Sequence, residues 1–341
     1  MKAFLVFLAF CSALLCVACA EDDCVYCGKD VSGGVTYDAD AHKPLVDKDT
    51  VKPDGQTVAD QDTAEPDEEL SDADALVTDD NFVVADRMVL VPGDTFNMGC
   101  LDVEDPACAE TNSSPRHEVT LPDFEIDIYE VTKQEFEACI KAGACKNEDG
   151  EPVQYVAYDA DQNDYCVIYG VYDKDLPVNC VSWYGARAYC EWLNKRLPSE
   201  AEWEFAARGD DGRVYPWGDT PAPSCDNVVM AGPDDWGCDS GFSYPVGSKE
   251  TGLSAYGLFD MAGNAREWLE DDWHDDYDDE TRPDDGTAWV DGTRPAQRVM
   301  RGGSFMIDAD HYVQFMTYAR FGFPVENTDR SGGFRCARTP E

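Results

Sequence analysis

The stretch Leu176–Gly209, LPVNCVSWYGARAYCEWLNKRLPSEAEWEFAARG, contains two complete helix signals separated by a short break. Ser182 is an N-cap, and Trp183, Ala186, Cys190 and Leu193 recur along one face of the helix it opens. Ser199 and Glu202 then form a capping box for a second helix that Gly209 stops. Upstream, Thr132 and Glu135 form another capping box, closed by Gly143. Before that, MVLVPGDTFNMG (88–99) reads as strand, turn, strand around Pro92-Gly93, and HEVTL (117–121) and FEIDIYEV (124–131) alternate as strands. After Gly209 the chain is long loops and short strands, and RGGSFMIDADHYVQFMTYAR (301–320) reads beyond its glycines as an alternating strand. Few helices among short strands and long loops predict a loop-rich α+β domain with one core.

Composition bounds what surrounds that domain. The 341 residues carry 26 basic and 70 acidic side chains, a formal charge of −44. Such an excess excludes nucleic acid as a partner, because a phosphate backbone needs Lys and Arg to neutralise it. Residues 1–19 hold one lysine and an apolar run from Ala3 to Leu15, too short for a membrane span and fit for an export signal. Ala18-Cys19-Ala20 satisfies an A-x-A cleavage site. Val17-Ala18-Cys19 resembles a bacterial lipobox with Cys19 as the lipidated residue, although Cys16 stands where leucine is preferred. The acidic segment that follows favours the second reading, a lipoprotein facing the periplasm or cell surface; otherwise the chain is secreted. The membrane is then reached only through the anchor. Residues 20–86 are Asp-rich and without period, a self-repelling spacer unable to bury enough surface to order itself. Residues 87–341 form the folded domain.

Fifteen cysteines suit an oxidising compartment. Cys24 and Cys27 make a local CxxC in the spacer, and ten remain between Cys100 and Cys336. Ten in an exported domain predict five bridges. Close spacing suggests Cys100–Cys108, Cys139–Cys145 and Cys225–Cys238, and the rest stays open. The four histidines, at 42, 117, 274 and 311, lack zinc-hydrolase spacing, and no nucleophile elbow, P-loop or dinucleotide fingerprint occurs. The acidic run Glu270–Gly286, with His274, reads as a solvated loop rather than a metal site, and the tryptophans of the body read mostly as core.

The block Leu176–Gly209, then YPWGD (215–219), GLFDMAGNAREW (257–268), RVMRGGSF (298–305) and GGFRCAR (332–338), follows an order that closely resembles the formylglycine-generating enzyme, or sulfatase-modifying factor, family from about Met88 to Arg338. The resemblance implies a C-type-lectin-related fold, bound calcium and a Cys190–Cys336 bridge. It also implies oxidation of a sulfatase cysteine by oxygen at a copper(I) ion held by two cysteines, five residues apart, after the GGS motif. Those two positions fall here on Ile307 and Tyr312, which cannot ligate a soft ion. Copper is therefore not expected. Nearby Met306 and Met316 read as packing. Ser304, which lines the oxygen pocket in the family, is retained, while Arg266 replaces a pocket aromatic.

For calcium the resemblance implies the Asp260 and Glu267 side chains with the Gly263 and Ala265 carbonyls, a hard-oxygen set. A second set is Asn227, the Val228 carbonyl and Asp239 or its neighbours. Both would be structural. Three functions follow: a non-catalytic module whose groove takes a protein, peptide or glycan; an oxidase with atypical ligands, or other chemistry through Ser304, His311 and Arg320; or a purely structural envelope protein. The first is the expectation.

Overall fold

The structure, a computed structural model, describes residues 76–77, 83–100, 106–146, 150, 166 and 173–340. The export signal, Cys19, the Cys24/Cys27 pair and most of the acidic spacer lie outside the described residues. Regular structure begins before Asp86, where the sequence reading ends the spacer: β1 (Leu76–Val77) pairs antiparallel with β2 (Val83–Val84). Asp86 itself is held to the domain by ion pairs to Lys195 at 3.0 Å and Arg338 at 2.8 Å.

The three predicted helices form where their caps are. α2 (Lys133–Lys141) and α4 (Glu200–Arg208) each have both halves of the capping box, and α3 (Trp183–Trp192) has the Ser182 cap bonded to Gly185 N. A short α1 (Pro106–Thr111) precedes them. The predicted strands also appear, as β3 (Met88–Val91), β4 (Thr95–Met98), β5 (His117–Thr120) and β6 (Phe124–Asp127). β3 and β4 do not make a hairpin. β4 pairs with β5, whereas β3 joins a three-stranded sheet of order β11-β6-β3, with β11 at Ala337–Arg338.

A four-stranded sheet of order β10-β7-β8-β9 positions the site. Its strands are β7 (Arg266–Asp272), β8 (Gln297–Arg301), β9 (Arg320–Pro324) and β10 (Gly332–Gly333). β7 runs parallel to β10 and antiparallel to β8, which runs antiparallel to β9. Register sets Glu267 opposite Arg301, and Arg301 opposite Arg320. Because side chains alternate across a strand, that row faces α4, while Arg266, Trp268, Met300, Phe321 and Phe323 share the other face.

Trp183, Trp203 and Trp268 are buried, and each satisfies its indole N–H, on Leu269 O at 2.8 Å, Glu267 Oε2 at 2.9 Å and Val181 O at 2.8 Å respectively. Each removes ~200 Å² from water, about 5 kcal/mol of gross transfer free energy. Trp289 is buried too, and of the four half-buried tryptophans Trp192, Trp217 and Trp273 pack against a core cluster, so the reading of the set as mostly core holds. The ten described cysteines form five bridges: the three close pairs, Cys190–Cys336, and Cys166–Cys180, a pair the sequence reading left open.

Candidate functional site: the pocket segment after the glycine pair

The segment after β8 is not the alternating strand its sequence suggests. Gly302 and Gly303 take left-handed backbone, with φ of 94° and 70°, and end the strand. Ile307 N then closes a turn on Ser304 O at 3.1 Å. Asp308 caps a 3-10 helix, Ala309–Phe315, by accepting from Asp310 N and His311 N. The apolar residues mimic a period of two, but Phe315, Met316 and Val313 all enter one core cluster with Cys100, Tyr215 and Val228. A side chain at Gly303 would meet Phe315 at 2.8 Å. Gly303→Ala is expected to lower stability by about 2 kcal/mol, from the φ alone, read as a fall in urea midpoint.

Neighbouring loops pin this segment. Gly263 N donates to Gly302 O at 2.7 Å, Phe305 N to Asn264 O at 2.9 Å, and Ala231 N to Ile307 O at 2.8 Å. Ser304 is buried and its hydroxyl accepts from Met306 N at 3.4 Å. Ile307 is half-buried against the cluster, Tyr312 is 43% exposed, Met316 is core and Met306 half-buried. Burial, with Tyr312 close by, pushes the Tyr215 hydroxyl up to about 12. Neither Ile307 nor Tyr312 offers a soft donor, and every described cysteine is in a bridge. The residues present therefore do not fit copper(I).

His311 stands on the 3-10 helix rather than a strand, and its ring pairs with Asp308 at 2.7 Å. That hydrogen bond raises its pKa. Arg320 is fully buried and bound to Glu200 at 2.7 Å. Ser304, His311 and Arg320 thus make separate contacts, and no base is bonded to the serine.

The first calcium set gathers around a carboxylate the sequence reading missed. Glu130 accepts from Asn264 Nδ2 and Ala265 N, both at 2.7 Å. Asp260 accepts from Gly247 N at 2.7 Å. Glu267 is forked by Arg335, Nε to Oε2 at 2.8 Å and Nη2 to Oε1 at 2.7 Å, and also takes the Trp203 indole. Burial, then the Asp260 and Glu267 charges, raises Glu130 well above the carboxylate range; burial pushes Asp260 up to about 6. Three buried carboxylates share one guanidinium. Both Glu267 oxygens accept hydrogen bonds and Oε1 keeps a further lone pair, so the hard-oxygen set is compatible with a calcium ion.

In the second set Asn227 Oδ1 accepts from Ser224 N at 2.8 Å and its Nδ2 is buried without a partner, a donor rather than a cation ligand. Asp239 is exposed and accepts from Asp234 N and Asp235 N, at 2.9 Å each, capping its own loop. Among the described residues no three His, Cys, Asp or Glu side chains are arranged to hold a metal. His274 lies flat on Trp289, centroids 3.5 Å apart, with Asp291 at 3.3 Å.

Fold and site together define a disulfide-stapled α+β domain in which neighbouring loops pin the segment after the glycine pair by backbone hydrogen bonds, and the ten described cysteines are all bridged. The chain belongs to the sulfatase-modifying factor family: residues 74–340 match the sulfatase-modifying factor enzyme 1-like domain. It is 32% identical over 300 residues to the formylglycine-generating enzyme of Thermomonospora curvata, covering 75% of this chain and 95% of that one. It is 31% identical over 283 residues to the inactive C-alpha-formylglycine-generating enzyme 2 of Bos taurus, covering 74% and 87%. PvdO from Pseudomonas aeruginosa superposes with a TM-score of 0.60 at 26% identity, over 74% of this chain and 94% of that one. The family binds calcium and copper. Five bridges suit an extracytoplasmic setting, and no helix among the described residues is long and apolar enough to cross a membrane.

Proposed function

We propose that this chain is an exported binding module that keeps the family's pocket without its oxidase chemistry, tethered at the cell envelope by a lipid on Cys19 and the acidic spacer. What carries the reading is the donor inventory. Ile307 and Tyr312 occupy the positions expected for the copper pair, and the ten described cysteines are bridged to one another. Copper(I) has no thiolate to bind there. Arg266 in place of a pocket aromatic points the same way, since it changes what the pocket can hold. The ligand is a protein, peptide or glycan segment received where family enzymes receive substrate.

A second reading, an oxidase with unusual ligands, is favoured by the 32% identity to an enzyme named for formylglycine generation. The identity to an inactive relative is 31%, so similarity alone does not choose. The test is to mix the full chain with copper(I), oxygen and a peptide carrying Cys-x-Pro-x-Arg, then follow peptide mass. The expected outcome is an unchanged thiol mass. Conversion of cysteine to aldehyde would overturn the reading.

A further inference from the structure

Six arginines are buried among the described residues: Arg208, Arg266, Arg298, Arg301, Arg320 and Arg335. Five have a carboxylate at ion-pair distance, respectively Glu204, Asp272, Glu200, Glu200 and Glu267 for all but Arg266. Arg266 is 8% exposed, and no carboxylate pairs with it. This occurs in a chain with 70 acidic side chains against 26 basic. A buried charge left without a counter-charge costs several kcal/mol, so its retention in so acidic a chain calls for a counter-charge from elsewhere.

The contacts of Arg266 describe a half-built anion site. Nη2 donates to Gln314 Oε1 at 3.0 Å, and Nε is buried with no partner. The guanidinium stands 4.7 Å from the Phe323 ring centroid and 5.7 Å from that of Phe321. Asp329 is the carboxylate whose charge reaches it, but Asp329 holds Asn327 Nδ2, Ser331 N and Ser331 Oγ instead. Gln314 lies on the 3-10 helix that bears Tyr312, so the arginine touches the segment after the glycine pair from β7. Gln314, Phe321 and Phe323 are each half-buried, so its surroundings reach solvent.

We propose that Arg266 is the anchor of a ligand site for a monocarboxylate carried on an apolar group, with Gln314 fixing the guanidinium and Phe321 and Phe323 receiving the apolar part. A planar fork matches a carboxylate. A single guanidinium suits a single negative charge, and a chain of net charge −44 repels polyanions. A peptide C-terminus and a small aryl acid share this chemistry. The inference rests on the binding-module reading and narrows it.

The test titrates the full chain with 3-phenylpropionate and its neutral amide, and with a peptide ending in phenylalanine as free acid or C-terminal amide. The acid of one series or both is expected to bind about ten- to a hundredfold tighter than its amide, and the series with the larger gap identifies the source. In Arg266→Met the gap is expected to vanish while the unliganded melting temperature stays level or rises, because an unpaired buried charge has gone. Arg266→Lys is expected to keep part of the gap. Equal binding of acid and amide, binding of neither, or a melting temperature that falls in Arg266→Met with no acid preference in the parent would overturn the proposal. None of those outcomes yields aldehyde, so the failure of this site is distinguishable from the failure of the non-oxidase reading.

Discussion

Replacing Glu200 with alanine is expected to cost about 3–5 kcal/mol, a large share of the ~5–15 kcal/mol that holds a domain folded. Glu200 is the first residue of α4, directly after the Ser199 cap, and its carboxylate meets arginines of β8 and β9. Its Oε1 accepts from Arg301 Nη2 at 2.8 Å, Arg320 Nε at 2.7 Å and the Tyr277 hydroxyl at 3.1 Å. All four side chains are buried. Without the carboxylate, Arg301 keeps Glu204 at 3.0 Å, which already holds Arg208 and Gly99 N, both at 2.8 Å, and Arg320 keeps only the Asn112 and His274 carbonyls. One charge cannot satisfy three guanidinium groups in a dry core.

Glu200→Gln keeps the shape and one acceptor and is expected to lose less than Glu200→Ala. Burial alone would raise the Glu200 pKa, but Arg320 and Arg301 bring it down to about 2 from 4.5. A folded pKa below the unfolded one means the stabilisation is complete above about 4.5 and is lost as pH falls through about 2; it amounts to roughly 3 kcal/mol. Urea unfolding at pH 7 and pH 3 checks this: the gap between the parent and Glu200→Gln should narrow in acid. A loss below about 1 kcal/mol in Glu200→Ala at pH 7, inside the range of an ordinary surface ion pair, would refute the assignment.

That network shows where sequence reading stopped. The caps at Thr132, Ser182 and Ser199 were legible because a cap is made by residues three apart. Glu200 and its partners are separated by 101 and 120 residues, and no local pattern announces such a pairing. The segment after Gly303 reads as a strand because its apolar residues alternate. A strand and a capped 3-10 turn share that pattern over so few residues, and the aspartate at 308 decides between them through its own hydrogen bonds. Arg266 stood out in sequence as a foreign residue in a family motif. Its missing counter-charge became visible only when β7, β9 and the 3-10 helix were brought together. Glu130 was hidden for the opposite reason: it sits at the end of an alternating run that reads as ordinary strand, and only the fold sets it beside Asn264 and Asp260.

The second large effect concerns the bridge from Cys190 on α3 to Cys336, just before β11. Both sulfurs are fully buried, and the bridge closes a loop of 146 residues. Loop-closure entropy grows with the logarithm of length, so this bridge restricts the unfolded chain far more than Cys139–Cys145, which spans six. The entropic model gives about 5 kcal/mol for the long loop and about 2 kcal/mol for the short one. Its native surroundings are also ordered without it, since Cys336 N donates to Asp127 Oδ2 at 3.0 Å and Arg335 is forked onto Glu267. Removal should therefore act through the unfolded chain rather than by tearing a strand from the sheet. Replacing both cysteines by alanine is expected to lower the urea midpoint more than twice as far as Cys139→Ala/Cys145→Ala, with an increased m-value as the released chain expands on unfolding. Equal midpoint losses in the two double variants would mean that local packing, not chain restriction, sets the value of the long bridge.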